Sequence, residues 1–223
     1  VLVSLDCDRA VIEEARTLGC NLIVTHHPIF FRPLRNLTGG EPHSEMIFDL
    51  VNDRTSLYSA HTNLDKIYFD RLGAVIGLAE MSLLVKTDTP RSEGGREYGF
   101  GARGEFNPPL PLEELLHRVC DRLALPFLVY AGKGEAPVRR CAVSGGASGG
   151  SIGRILQECE VDCIITGDVG YHDVKTAVDH GVAVIDAGHY GTERILLDFL
   201  CSDIQDYLTK TPTAGQIRAR VSR

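Results

Sequence analysis

Residues 21–31 read Asn21-Leu22-Ile23-Val24-Thr25-His26-His27-Pro28-Ile29-Phe30-Phe31: an apolar run, then two adjacent histidines, then a proline. Successive side chains of an extended strand point to opposite faces, so neighbouring histidines can aim at one locus only where the strand ends and the backbone turns. Pro28 supplies the turn, because it fixes its own φ and pushes His27 out of the helical region. The pair therefore sits at the carboxyl end of a strand, where open α/β sheets place their ligands. Imidazoles in that position suggest one half of a metal site.

Around this stretch the pattern alternates strand and helix. Val1–Leu5 reads as a strand, Arg9–Leu18 as a helix stopped by Gly19, and Asn21–Thr25 as a second strand, a βαβ unit with short connections. A chain that opens directly on a buried strand is expected to lack a preceding segment. His43–Asn52 follows as a helix and Ser56–His61 as a strand that runs into His61-Thr62-Asn63-Leu64-Asp65. Tyr68–Ile76 is predicted helical and Ala79–Lys86 extended.

The Pro, Gly, Ser and mixed-charge stretch Asp88–Arg96 has the composition of a linker. A boundary between two α/β domains is expected there. In the second, Tyr98–Glu105 reads as a strand, Asn107–Pro111 as a turn and Leu112–Leu123 as a helix with Pro111 near its start. Phe127–Ala131 and Val138–Ser144 are further strands. No internal repeat is evident.

Composition bounds the function. In 223 residues with 43% hydrophobic and 24% charged side chains, no run approaches the roughly 18 consecutive apolar residues of a membrane span. No basic and apolar leader precedes the first strand, so a cytoplasmic location is the expectation. A net charge of −7 and pI near 5.6 argue against general nucleic-acid binding, which needs clustered Lys and Arg, and fit a small or neutral substrate, or a metal, better. The seven cysteines include no Cys-x-x-Cys pair, so they read as reduced core residues rather than a disulfide framework or a thiolate site.

The last third repeats the strand-end pattern. Asp162–Thr166 runs into Gly167-Asp168-Val169-Gly170-Tyr171-His172-Asp173 before a helix, and Val182–Asp186 runs into Ala187-Gly188-His189-Tyr190-Gly191-Thr192-Glu193. If a helix begins near Tyr190, His189 and Glu193, four apart, face one point. The strand ends thus offer His26, His27, Asp65, His189 and Glu193, a borderline donor set suited to two divalent ions such as Zn, Fe or Mn, with positions left over for water or substrate. The loop Ser144-Gly145-Gly146-Ala147-Ser148-Gly149-Gly150-Ser151 lacks the ending of a P-loop. It reads either as a tight strand-to-helix turn or as a weak anion cradle.

In order along the chain, VLVSLD, LIVTHHPIFF, HTNLD, VSGGASGG, ITGDVGYHD and DAGHYGTE resemble the motifs of the NIF-three-like family, also called GTP cyclohydrolase I type 2 homologues. The resemblance covers residue 1 to about residue 200. It implies two similar α/β domains with mixed sheets flanked by helices, residues 1–90 with 186–223 and residues 91–185, in a homohexameric toroid of short form, without the inserted domain of longer members, and a dinuclear metal centre. By position it makes His26, His27, Asp65, His189 and Glu193 the ligands, with Glu193 the bridge, and places His61 and His172 along the same cleft. Metal-assisted hydrolysis then follows as the expected chemistry, with His61 or His172 moving protons, unless His61 instead orients Asp65. The alternatives are a metal-binding scaffold or regulatory protein without turnover, and a two-metal phosphoesterase acting on nucleotides.

Overall fold

The computed structural model describes residues 1–88, 95, 97–211 and 217–222. In chain order the elements are β1 (Leu2–Ser4), α1 (Arg9–Thr17), β2 (Leu22–Thr25), α2 (Pro42–Asn52), β3 (Ser56–Ser59), α3 (Thr62–Ile67) and α4 (Arg71–Ile76). Then come β4 (Ala79–Lys86), β5 (Gly99–Pro111), α5 (Leu112–Leu123), β6 (Val129–Ala131), β7 (Pro137–Ala147) and α6 (Ile152–Glu158). The chain ends with β8 (Cys163–Gly167), α7 (Tyr171–Asp179), β9 (Ala183–Asp186), α8 (His189–Glu193), α9 (Ile195–Thr209) and β10 (Arg220–Val221). The α/β class expected from the pattern is present. Among the described residues, no helix is long and apolar enough to cross a membrane.

The chain divides into two compact units, Val1–Leu64 with Leu196–Arg223, and Asp65–Ile195. These borders differ from residues 90 and 186 for a reason of strand pairing. β4 pairs antiparallel with β5, and β9 pairs parallel with β8, so both belong to the second sheet. His189 and Glu193 accordingly fall in the second unit. Apart from Asp88 and Gly95, the linker-like stretch 88–96 lies outside the described residues.

The first unit holds a four-stranded sheet in the order β10-β1-β2-β3, all parallel where the sequence reading expected a mixed sheet. Its central strand is covered on both faces, as parallel sheets require. Leu2 and Ile23 pack with Val11, Ile12 and Ala15 of α1 and Met46 and Leu50 of α2, while Val3 and Leu5 pack on Leu197 of the returning α9. Helix α1 starts where Asp8 accepts a 2.8 Å hydrogen bond from the Val11 amide. Helix α2 starts at Pro42, behind Glu41, whose carboxylate accepts from the Ser44 amide at 2.7 Å. That bond, together with an interaction at His43, holds the Glu41 carboxyl at about 2, below the usual carboxylate range.

The second unit holds a mixed six-stranded sheet in the order β4-β5-β7-β8-β9-β6. Its strands alternate with a period of two, sending Cys141, Val143, Cys163, Ile165 and Ile185 to one face and Ala142, Ile164 and Val184 to the other. Helix α5 covers the first face through Leu112, Leu115, Val119 and Leu123, and α6 and α7 cover the second through Ile152, Ile155 and Ala177. The proline-rich residues 107–111, expected as a turn, are instead the end of β5, where Leu110 and Pro111 pair with Val138 and Pro137 after a register shift. Prolines are tolerated there because the shift breaks the regular ladder. All seven cysteines are free thiols, with Cys7, Cys141 and Cys163 buried. Burial pushes the Cys7 thiol up to about 11, which suits a packing role rather than a reactive one.

Candidate metal centre

In the first unit the parallel ladder continues past the strand ends. The amides of His26 and His27 donate to the carbonyls of Ser4 and Leu5 at 3.1 and 2.8 Å, and the Ala60 amide donates to Thr25 at 2.7 Å. This pairing carries the two histidines just beyond β2, between the chain leaving β1 and the chain leaving β3. The Thr25 hydroxyl donates to the His27 carbonyl at 2.7 Å, closing the turn that the proline demands.

His26 is fully buried, and its Nδ1 lies 2.9 Å from the carbonyl of Ala60. A carbonyl only accepts, so the proton is on Nδ1 and Nε2 carries the lone pair. The His27 Nδ1 lies 2.9 Å from the Asp6 carboxylate and is held in the same tautomer. His61 completes the cluster. The ring centroids lie 5.1 Å apart for His26 and His27, 5.2 Å for His26 and His61, and 5.7 Å for His27 and His61. One nitrogen from each ring lies within 4.8 Å of the others, a spacing that can hold a metal ion. Phe31, largely exposed, stands beside the rings of His27 and His61.

In the second unit a short helix does the work. Gly188, at φ +75°, turns the chain out of β9, and α8 begins at His189, so His189 and Glu193 lie on one face. Their side chains meet, His189 Nε2 to Glu193 Oε2 at 2.9 Å. Glu193 is 6% exposed, a buried place for a carboxylate. On the other side of the ring, His189 Nδ1 lies 2.8 Å from Asp168, a residue with φ +52° just past β8. The Asp186 carboxylate accepts from the amides of Val169 and Gly188, each at 3.0 Å, and fixes both loops.

The expected residues are thus placed unequally. The structure brings His26 and His27 together with His61, and His189 together with Glu193. Asp65, half-buried in α3, does not belong to the cluster of three imidazoles. His172 is exposed in the first turn of α7 with its ring against Tyr171, and it joins no metal-capable group among the described residues. Sequence reasoning missed the orienting carboxylates Asp6 and Asp168. Their signal was in view, since each is the first carboxylate after a strand end, the same rule that selected the histidines.

The donor set fits a divalent ion. Histidines held at Nδ1 and offering Nε2, beside a buried carboxylate, form the arrangement that outer hydrogen bonds impose on metal-binding imidazoles.

Comparison with known proteins follows the same lines. A family described as Duf34/NIF3 (NGG1p interacting factor 3) matches residues 1–221. The chain is 36% identical to a GTP cyclohydrolase 1 type 2 homolog of Nostoc sp., over 92% of this chain and 77% of that one. It is 35% identical to a protein of the same name from Clostridium acetobutylicum, over 86% of this chain and 71% of that one. The crystal structure of a Bacillus cereus protein related to NIF3 has the same fold, with a TM-score of 0.88 at 19% identity, covering all of this chain and 86% of that one.

Proposed function

The chain belongs to the Duf34/NIF3 family, and we propose that it is a metal-dependent hydrolase of the kind its relatives' name describes, acting on a nucleotide such as GTP. The observation that carries the reading is the set of imidazoles anchored at Nδ1, His26 by Ala60, His27 by Asp6 and His189 by Asp168, together with the buried Glu193. Such anchoring has little structural purpose on its own and a direct one if each Nε2 must face a cation.

In this reading His26, His27, Asp65, His189 and Glu193 would hold two divalent ions (Zn, Fe or Mn), with Glu193 the ligand that would be shared. When bound, such ions supply Lewis-acid polarisation and acidify water at neutral pH. The chain's own groups do the rest. His61, beside His26 and His27, takes up a proton, and the exposed His172 exchanges one with solvent. Water then adds across the C8–N7 double bond of a guanine ring, its hydroxyl going to C8 and the proton taken up by His61 passing to N7. A homohexameric ring in the cytoplasm is part of the same proposal, as is the absence of a long nucleic-acid partner, which the charge of −7 disfavours.

The test is to purify the protein with the metal acquired in its own host, count ions per chain, and assay GTP, other nucleotides and phosphodiesters. A His27→Ala, Glu193→Ala double variant is carried alongside. Two ions per chain and turnover that the double variant loses are expected. Metal without any turnover above the double variant sinks the hydrolase reading and leaves a binding scaffold, and turnover confined to phosphodiesters makes the protein a phosphoesterase.

A further inference from the structure

The glycine loop that follows the core of β7 has a use that neither an anion cradle nor a simple turn describes. Three of its amides are engaged within the protein: Gly146 donates to Thr192 Oγ1 at 2.9 Å, Ser148 to the Gly146 carbonyl at 3.0 Å, and Ser151 to the Ser148 carbonyl at 2.9 Å. The helix behind it, α6, has seven residues, too few to make a strong anion site. What the loop faces is Glu193.

A Cβ on Gly146 would overlap Oε1 of Glu193, lie 3.0 Å from its Cδ, and come within 3.5 Å of His189 Nε2. A Cβ on Gly145 would sit 3.4 Å from Glu193 Cγ. The bare backbone of residues 145–146 is therefore the wall against which the buried carboxylate rests. Gly146 also has φ +62°, a conformation that only glycine adopts without strain. The wall is tied to the helix bearing the site. Thr192, the residue before Glu193, accepts the Gly146 N–H and has its own hydroxyl within 2.9 Å of the carbonyls of Gly188 and His189. From the other side, Thr166 donates to the Gly146 carbonyl at 3.4 Å.

We propose that Gly146 is a positioning residue for the metal site: by lacking a side chain and by its bond to Thr192 it fixes the Glu193 carboxylate beside His189 Nε2. This rests on the reading of Glu193 as a ligand. The overlap is with the free end of a long side chain, so a methyl group at residue 146 displaces the carboxylate rather than the fold. Backbone strain is controlled for within the same chain. Gly19 has φ +63° and open space where its Cβ would go.

Gly146→Ala, Gly19→Ala and Glu193→Ala proteins, freed of metal by chelation, are melted thermally and titrated with Zn2+, and their Co2+ absorption spectra are recorded. Gly146→Ala and Gly19→Ala should lose similar melting temperature. Only Gly146→Ala should bind Zn2+ about 10-fold to 100-fold more weakly, the range for disturbing a group that orients a ligand, with an altered Co2+ spectrum. Adding Glu193→Asp, which withdraws the carboxylate by one methylene, should restore part of that loss.

If Gly146→Ala titrates like the wild type while Glu193→Ala does not, the positioning role is wrong and the metal reading stands. If Glu193→Ala also titrates like the wild type, the metal reading itself fails. Should Gly146→Ala not fold, Thr192→Val and Thr192→Ser decide. A drop of about threefold or more in Zn2+ affinity for valine alone, the worth of one hydrogen bond, supports the role, and equal affinities overturn it.

Discussion

The two units contain the same device in different surroundings. In the first, Asp6 follows β1 and grips the Nδ1 of His27, which follows the parallel neighbour β2. In the second, Asp168 follows β8 and grips the Nδ1 of His189, which follows the parallel neighbour β9. The separation is 21 residues in both. That is the length of one compact strand-helix-strand crossover, which returns the chain so that residues just past adjacent parallel strands become neighbours.

The surroundings differ. The first unit adds two more imidazoles, His26 and His61, and anchors His26 on a backbone carbonyl that no mutation of a side chain removes. The second adds a buried carboxylate, seated by Thr192 and Gly146. Neutral nitrogen ligands set which metals bind, and the carboxylate supplies the charge that offsets the cation. The same fold device therefore carries different donor types in the two units.

The most severe way to break this comparison is to disable the device twice. Asp6→Asn and Asp168→Asn each keep the shape but remove the charged acceptor, and each should weaken Zn2+ binding by about 10-fold to 100-fold. The double variant should bind Zn2+ more weakly than either single variant. Isothermal titration checks this, and a large effect from one aspartate with none from the other would show that the shared spacing has no shared function. Truncation in the sheets sharpens it further. Ile23→Ala and Ile165→Ala, both fully buried, should each cost about 2–5 kcal/mol of stability by denaturant unfolding. The bound form should recover part of the loss when Zn2+ is in excess, because a ligand held only by the folded state stabilises it.

The smallest effect concerns the first unit alone. Glu41 has a carboxyl held at about 2 in the fold, against an ordinary value of 4.5, chiefly by the Ser44 amide. A depressed folded value means its contribution is complete above 4.5 and is lost as pH falls toward 2. Glu41→Gln should therefore be less stable than the wild type at neutral pH, with the gap closing on acidification. Thermal melts between pH 7 and pH 2 measure it, and a gap that stays constant across that range would mean Glu41 does not cap α2 through its charge.

Much of the site was legible because strand ends announce themselves. An apolar run that stops at polar, titratable side chains places those side chains at the sheet's carboxyl edge, and this marked His26, His27, His189 and Glu193 as candidates without any contact being known. Asp6 and Asp168 obeyed the same rule but were passed over, since a lone carboxylate after a strand is common. The link between each and its histidine spans 21 residues and involves only two side chains, too sparse to show as a repeat. His61 was expected beside the site, yet its place among the ligand-distance imidazoles depends on β3 lying next to β2. Domain borders depend on the same kind of fact: β4 looks like the close of the first unit in sequence but pairs with β5.

By itself, then, the sequence determined the α/β class, the strand-end histidines, and the four-residue spacing that puts His189 and Glu193 on one helical face. These are local properties, set by side-chain period, turn residues and residue type. Tertiary structure alone decided which strand neighbours which, that Asp6 and Asp168 hold their histidines, that Glu193 is buried, and that Gly146 must be bare. Each of those depends on atoms brought together from residues tens of positions apart, and local pattern carries no record of such meetings.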